Sequence, residues 1–194
     1  MVVGLGNPGA EYARTRHNAG FRVVERVAER VGARFRDSRQ AAARCAAADL
    51  PGGRRVVLVE PMTFMNESGT AVAALLRWHR WTLAELLLVY DDVDLPLGTI
   101  RIRPRGGAGG HRGTQSVIDA VGGDEFPRVR VGIGRDAAGR DTVAHVLSIF
   151  DAAEVPVAEA AFDRAADAVV ACVTEGVDRA MNRFNAEPKE IQQP

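Results

Sequence analysis

The chain has 194 residues, 46% of them hydrophobic, and a formal net charge of zero, which suits one globular domain around one core. That composition argues against disorder, a membrane-spanning protein and a uniformly basic nucleic-acid binder. No apolar run reaches the roughly 18 residues needed to cross a bilayer. Met1-Val2-Val3-Gly4 is not a basic stretch leading into an apolar one, so a cytosolic protein is expected. Cys45 and Cys172 lie far apart in Ala- and Val-rich surroundings. Neither a redox pair nor a zinc knuckle can be built from them, and both are expected to be small buried hydrophobes.

In chain order, Val2 to Leu5 reads as a short buried strand entering a glycine turn, and Gly20 to Val31 carries apolar residues at helical spacing. Ala41 to Asp49 and Arg55 to Val59 read as strands, the second ended by Pro61. Ser68 to Trp81 fits a helix and Leu86 to Tyr90 a continuously apolar strand, whereas Thr99 to Arg103 alternates as an edge strand does. Gly106 to Gly110 breaks regular structure. A short helix over 114–121, a period-two strand from Arg128 to Ile133 and a long Ala-rich helix over 153–182 complete the pattern. Strands and helices alternate, which predicts an α/β fold: a single-domain sandwich with a mixed, mostly buried central sheet flanked by helices. The domain is expected to span 1–186, with a polar, frayed tail over 187–194.

Gly4-Leu5-Gly6-Asn7-Pro8-Gly9 follows a strand and matches GxGxxG, with Glu25 or Glu29 near the spacing of a ribose-binding acid. A dinucleotide site, however, needs the helix to begin at the glycines so that its first amides meet the pyrophosphate. Here a loop through Tyr12, His17 and Asn18 intervenes, which disfavours that reading.

More informative are the uncharged amides, imidazoles and carboxylate that recur at strand ends: Asn7, His17-Asn18, Met65-Asn66, Asp91 and His111. Water attack on a carbonyl needs a base of near-neutral pKa, an acid that orients it, and amide donors for the developing oxyanion. Each residue also has a plainer reading: Asp91 as a turn or cap, Asn66 as an N-cap, Asn7 in an ordinary turn. His79 reads as a helix-surface residue and His145 as half buried. Arg101, Arg103, Arg105, Arg112, Arg128, Arg130 and Arg135 crowd one stretch, although the only lysine of the chain is Lys189. Such a cluster suits phosphate, or simply a solvated strand face.

In order and spacing, six segments resemble the bacterial peptidyl-tRNA hydrolase family over almost the whole chain: VVGLGNPGAEYARTRHNAGF, PMTFMNESG, VYDDVDLPLGTIRIR, GGAGGHRG, FPRVRVGIGR and MNRFN. The resemblance implies a metal-free, cofactor-free monomer that hydrolyses the ester between a peptide and the 3′ ribose of tRNA and recycles tRNA from stalled translation. It implies peptidyl-tRNA as partner, with no membrane and no DNA. By matching position, His17 would be the general base and Asp91 its orienting carboxylate. Asn7 and Asn66 would place the carbonyl and ribose, with Met65 and Tyr12 shaping the floor and His111 the opposite wall. Arg103 and Arg130 would grip the 5′-phosphate.

Two departures stand out: Ala108 replaces a commonly polar residue, and Gly110-His111-Arg112-Gly113 has an arginine where the family usually has asparagine. Arg112 cannot accept a hydrogen bond. Either it pairs with Asp91 and weakens His17, leaving a catalytically poor RNA-binding relative, or it donates to a substrate carbonyl or phosphate and turnover survives.

Overall fold

The computed structural model describes residues 1–135 and 141–186. Seven strands form one sheet: β1 (Val2–Gly4), β2 (Arg36–Asp37), β3 (Ala43–Leu50), β4 (Arg54–Pro61), β5 (Leu87–Asp92), β6 (Ile100–Arg103) and β7 (Arg128–Gly132). Their order is β2-β3-β4-β1-β5-β7-β6. The four central strands β4, β1, β5 and β7 are mutually parallel, and β3 and β6 run antiparallel to their neighbours on either side.

Because a strand alternates its side chains between faces, β1, β4 and β5 each feed two cores, and β7 feeds one. Val2, Leu58, Val89 and Val129 pack beneath α1 (Ala19–Arg30), α5 (Val155–Thr174) and α6 (Val177–Phe184). Val3, Val59, Leu88 and Tyr90 pack beneath α2 (Ser68–His79) and α3 (Arg112–Val121). Burial on both faces is why β1, β5 and most of β4 read as apolar runs, whereas β7 alternates because its second face carries Arg128 and Arg130. The result is the expected helix–sheet–helix sandwich with a mixed sheet.

The first glycines serve packing. A Cβ on Gly4 would sit 2.3 Å from the carbonyl oxygen of Gly20, and one on Gly20 would sit 2.3 Å from the amide nitrogen of Leu5. Helix α1 therefore lies against β1 backbone to backbone. Since α1 starts only at Ala19, and the amide of Phe21 in its first turn is already given to the carbonyl of Leu5 at 3.2 Å, no row of free amides meets a pyrophosphate at the Gly4–Gly9 turn, and the dinucleotide reading falls. On the outer side of α1, Arg22, Arg26 and Arg30 recur every four residues and meet Glu159, Asp163 and Asp167 of α5, with Arg30 at 2.9 Å from Asp163 and 2.7 Å from Asp167.

Several elements differ from expectation. The helix expected over 153–182 is two helices, because Gly176, at φ 94°, breaks it between α5 and α6. The short strand β2 and the five-residue helix α4 (Thr142–Val146) carry too little pattern to be read. Cys172 is buried, and burial pushes its thiol up to about 12, whereas Cys45 is only half buried. His145 is buried rather than half buried, its Nε2 at 2.8 Å from the carbonyl oxygen of Gly134. The tail expected over 187–194, with Lys189, lies outside the described residues.

At the sheet's far edge, Ile100 and Ile102 of β6 enter the core and Arg101 and Arg103 take the other face. The outer backbone of Ile102 is met by one side chain: its N–H donates to Asn185 Oδ1 at 2.7 Å, and its carbonyl accepts from Asn185 Nδ2 at 3.0 Å.

Candidate active site

The carboxyl ends of the parallel strands open into one cleft of about 1010 Å³, the usual place for a site in an α/β sheet. All ten residues singled out in the sequence line it: Asn7, Tyr12, His17, Met65, Asn66, Asp91, Arg103, His111, Arg112 and Arg130.

Asp91, near the end of β5 and 2% exposed, is the centre of the arrangement. His17 Nδ1 lies 2.9 and 3.0 Å from its two oxygens, and His111 Nε2 lies 3.0 Å from Oδ1. His111 caps α3, its Nδ1 accepting from the amide of Thr114 at 3.1 Å. An imidazole nitrogen that accepts a backbone N–H carries no proton, so His111 is neutral and donates its Nε2–H to Asp91. Likewise the carboxylate accepts the Nδ1–H of His17, which leaves the lone pair of His17 on Nε2. Burial alone would raise the carboxyl of Asp91. The attraction and hydrogen bonds of the two imidazole N–H groups, His17 first and then His111, outweigh it and hold the group well below the usual carboxylate range. The turn or cap reading of Asp91 is therefore replaced by a buried carboxylate between two imidazoles, and Tyr90 of β5 packs against His111 with its ring tilted by 57° and centroids 4.8 Å apart.

Asn7 is fixed on three sides. Its amide donates to Asn18 Oδ1 at 2.9 Å, its carbonyl accepts from Asn18 Nδ2 at 3.0 Å, and its own Oδ1 accepts from the amide of Met65 at 2.8 Å. With Oδ1 committed, the Nδ2 donors of Asn7 remain for a guest in the cleft. Asn18, whose neighbour His17 drew more attention in the sequence, is thus the clamp that orients Asn7. Met65 is buried under the cleft floor, where Gly113 leaves space for its sulfur; a Cβ on Gly113 would stand 2.3 Å from Sδ. Asn66 is exposed and caps nothing, since α2 has no side-chain cap.

The arginines separate into distinct uses. Antiparallel pairing sets Arg101 opposite Arg130 and Arg103 opposite Arg128, so all four share the face above the glycine loop. Arg128, however, is 1% exposed. It donates to the carbonyls of Gly107 at 3.1 Å and Asp124 at 3.0 Å and lies over the ring of Phe126. It builds the loop and is not free for phosphate, a correction to the sevenfold cluster. Arg130 pairs with Asp92, Arg135 with Asp94 and Arg105 with Glu125. Arg103 and Arg112 are exposed in the cleft, with no carboxylate partner among the described residues. Arg112 makes no bond to Asp91, whose oxygens both histidines occupy, so the disabling arrangement is not the one adopted.

His17, Asp91 and His111 also offer three ligand atoms within 4.8 Å of one another. Those same atoms are joined by hydrogen bonds, and a metal would have to take the place of the bridging protons. Sequence reasoning missed Phe64, 57% exposed at the mouth of the cleft, and Val143 and Leu147 on the opposite wall, because an isolated apolar residue in a loop and the single turn of a five-residue helix carry no periodic signal.

A three-layer α/β sandwich whose strand ends present a carboxylate-oriented imidazole beside amide donors belongs to the class of hydrolytic enzymes. The sequence model of one family, peptidyl-tRNA hydrolase, matches residues 1–193. The peptidyl-tRNA hydrolase of Chloroflexus aggregans is 50% identical over 186 residues, covering 95% of this chain and 98% of that one. That of a Synechococcus strain is 46% identical over all 194 residues, covering 85% of the relative. Among solved structures, peptidyl-tRNA hydrolase from Acinetobacter baumannii superposes with a TM-score of 0.89 at 36% identity, covering 95% of this chain and 93% of that one. The chain belongs to the peptidyl-tRNA hydrolase family and is a hydrolase of that class. Among the described residues no helix is long and apolar enough to cross a membrane.

Proposed function

We propose that this protein hydrolyses the ester joining a peptide to the 3′-terminal ribose of tRNA, with water activated by His17. The observation that carries the reading is the buried chain His17–Asp91–His111, which leaves Nε2 of His17 as the available base on the cleft. Nε2 takes a proton from water as the water oxygen attacks the ester carbonyl. The resulting imidazolium, steadied by Asp91, returns the proton to the ribose oxygen as the C–O bond breaks, and free peptide and tRNA leave. Asn7 Nδ2 and Asn66 hold the carbonyl and ribose ends, with Met65 and Tyr12 beneath the terminal nucleotide. Arg103 and Arg130 receive the 5′-phosphate of the acceptor stem, and Arg112 donates to the peptide carbonyl or a phosphate.

In this reading the enzyme is a cytosolic monomer that needs no metal and returns tRNA from stalled translation. A catalytically silent RNA-binding form has no support, since Arg112 leaves the histidine–carboxylate chain intact. The test is single-turnover cleavage of N-acetylated aminoacyl-tRNA in EDTA. His17→Ala is expected to lower the rate about 10²–10⁴-fold while tRNA binding persists. A parent that binds tRNA without cleaving it, or a His17→Ala variant of undiminished rate, overturns the proposal.

A further inference from the structure

The far end of α2 carries a surface that hydrolysis does not use. This helix leaves the cleft after Asn66 and runs 12 residues, about 18 Å at roughly 1.5 Å per residue, before ending in Arg77-Trp78-His79-Arg80-Trp81. The first four are exposed, Trp78 by 64% of its surface. His79 stacks on the half-buried Trp81 with ring centroids 4.1 Å apart and planes 13° from parallel. Trp81 in turn walls a groove of about 560 Å³ bordered by Arg54 and Arg55 at the start of β4.

Cations near a helix carboxyl end complement its dipole, which accounts for Arg77 and His79. It accounts neither for the tryptophans nor for Arg80. Arg80 is the only non-glycine among the described residues with positive φ, 57°, at the cap position where glycine fits without strain. Keeping an arginine in that conformation indicates a use for its side chain. Arg54, Arg77 and Arg80 have no carboxylate partner among the described residues, while Arg55 is paired with Asp49 at 3.1 Å. Glu85, the acid beside the groove, is turned to the amide and hydroxyl of Thr82 at 2.8 and 2.9 Å. Since Glu85 makes no ion pair with these arginines, what remains is an excess of positive charge interleaved with flat rings.

We propose that this face binds a single-stranded RNA segment, separate from the strand in the cleft. Bases stack on Trp78 and on the His79–Trp81 pair, and phosphates meet Arg54, Arg77 and Arg80. An acidic peptide would satisfy the arginines but leave the ring faces unused. The inference stands on this surface alone and is independent of the hydrolytic reading.

Trp78 and Trp81 are the only tryptophans of the chain, so its tryptophan emission reports this face and not the cleft. Titration of the full chain with an oligouridylate of about 10 nucleotides is expected to quench that emission saturably. Three phosphate contacts predict about 20-fold weaker binding when salt rises from about 50 to about 200 mM. Arg77→Glu combined with Arg80→Glu is expected to weaken binding at least about 10-fold, while leaving circular dichroism and hydrolysis of N-acetylated aminoacyl-tRNA unchanged. His17→Ala is expected to bind the oligonucleotide like the parent. Absence of saturable quenching, binding untouched by the charge reversals, or equal binding of a polyglutamate peptide each overturns the proposal, the last reassigning the face to acidic protein segments.

Discussion

Two buried carboxylates, Asp91 and Glu60, are 2% and 1% exposed, yet their surroundings drive them in opposite directions. At Asp91 two imidazoles donate hydrogen bonds, and the carboxyl is held well below its ordinary range despite burial. Glu60, on β4 beneath α1, has one ion pair, Oε2 to Arg44 at 3.2 Å, and its Oε1 has no partner among the described residues. Burial first, and then the negative charge of Glu25, push it up to about 8 against the pull of Arg44. Depth is the same in the two regions and the number of directed donors is not. Asp91 is supplied with donors from two loops, and each of those loops also forms the cleft. Glu60 has been left short of them where nothing catalytic depends on it.

The contrast can be broken most severely at its well-satisfied end. Asp91→Asn replaces an acceptor of two N–H groups by an amide that must turn its NH₂ toward one imidazole. In the hydrolytic reading the rate of ester cleavage is expected to fall at least about 100-fold, with little change in tRNA affinity; an undiminished rate would remove Asp91 from the mechanism. His111→Ala takes away one donor and leaves a lone pair of Asp91 uncompensated. Unfolding in denaturant is expected to show a loss of about 1–3 kcal/mol, which a midpoint unchanged from the parent would contradict.

At the poorly satisfied end the sign reverses. The folded protein keeps a proton on Glu60 that the unfolded chain has already released, so stability contributed by Glu60 is complete below about pH 4.5 and declines until pH passes about 8. Glu60→Gln is therefore expected to raise the melting temperature at pH 9 more than at pH 5, with cleavage unaffected; equal shifts at both would show that Glu60 does not titrate in this window. The smallest effect belongs to charges that keep partial contact with water. Glu159 is 36% exposed beside Arg22 and Arg26, and Glu159→Gln is expected to cost at most about 1 kcal/mol and to lose even that in high salt.

Much of this was legible in advance, for definable reasons. Strands β1, β4 and β5 were plain because burial on two faces makes them largely apolar, and β6 and β7 because arginines alternate with isoleucines or valines. The polar residues of the site were legible as chemistry, while their meeting point was not: Asn7, His17, Asp91 and His111 come from four segments joined only by the topology of the sheet. Individual side-chain fates were the least accessible. Arg128 and Arg130 alternate identically with the valines of β7, yet one is sealed against two carbonyls and the other stays partly exposed and pairs with Asp92. Nothing local tells them apart, because the difference is made by the glycine loop that folds over Arg128. The break at Gly176 was hidden by the alanine-rich run before it and by helix-compatible residues after it, which favour helix whatever the tertiary structure requires.

The pairing of Asn185 with Ile102 has a consequence for how the chain behaves in a crowd. A strand at the border of a sheet offers its backbone to any other extended chain, and that is how templated aggregation begins. Here one amide side chain imitates a neighbouring strand, occupying the N–H and the C=O of Ile102 together, and α6 holds it there. With that position taken and arginines on both sides of it, an incoming strand finds no continuous row of unpaired groups to zip onto.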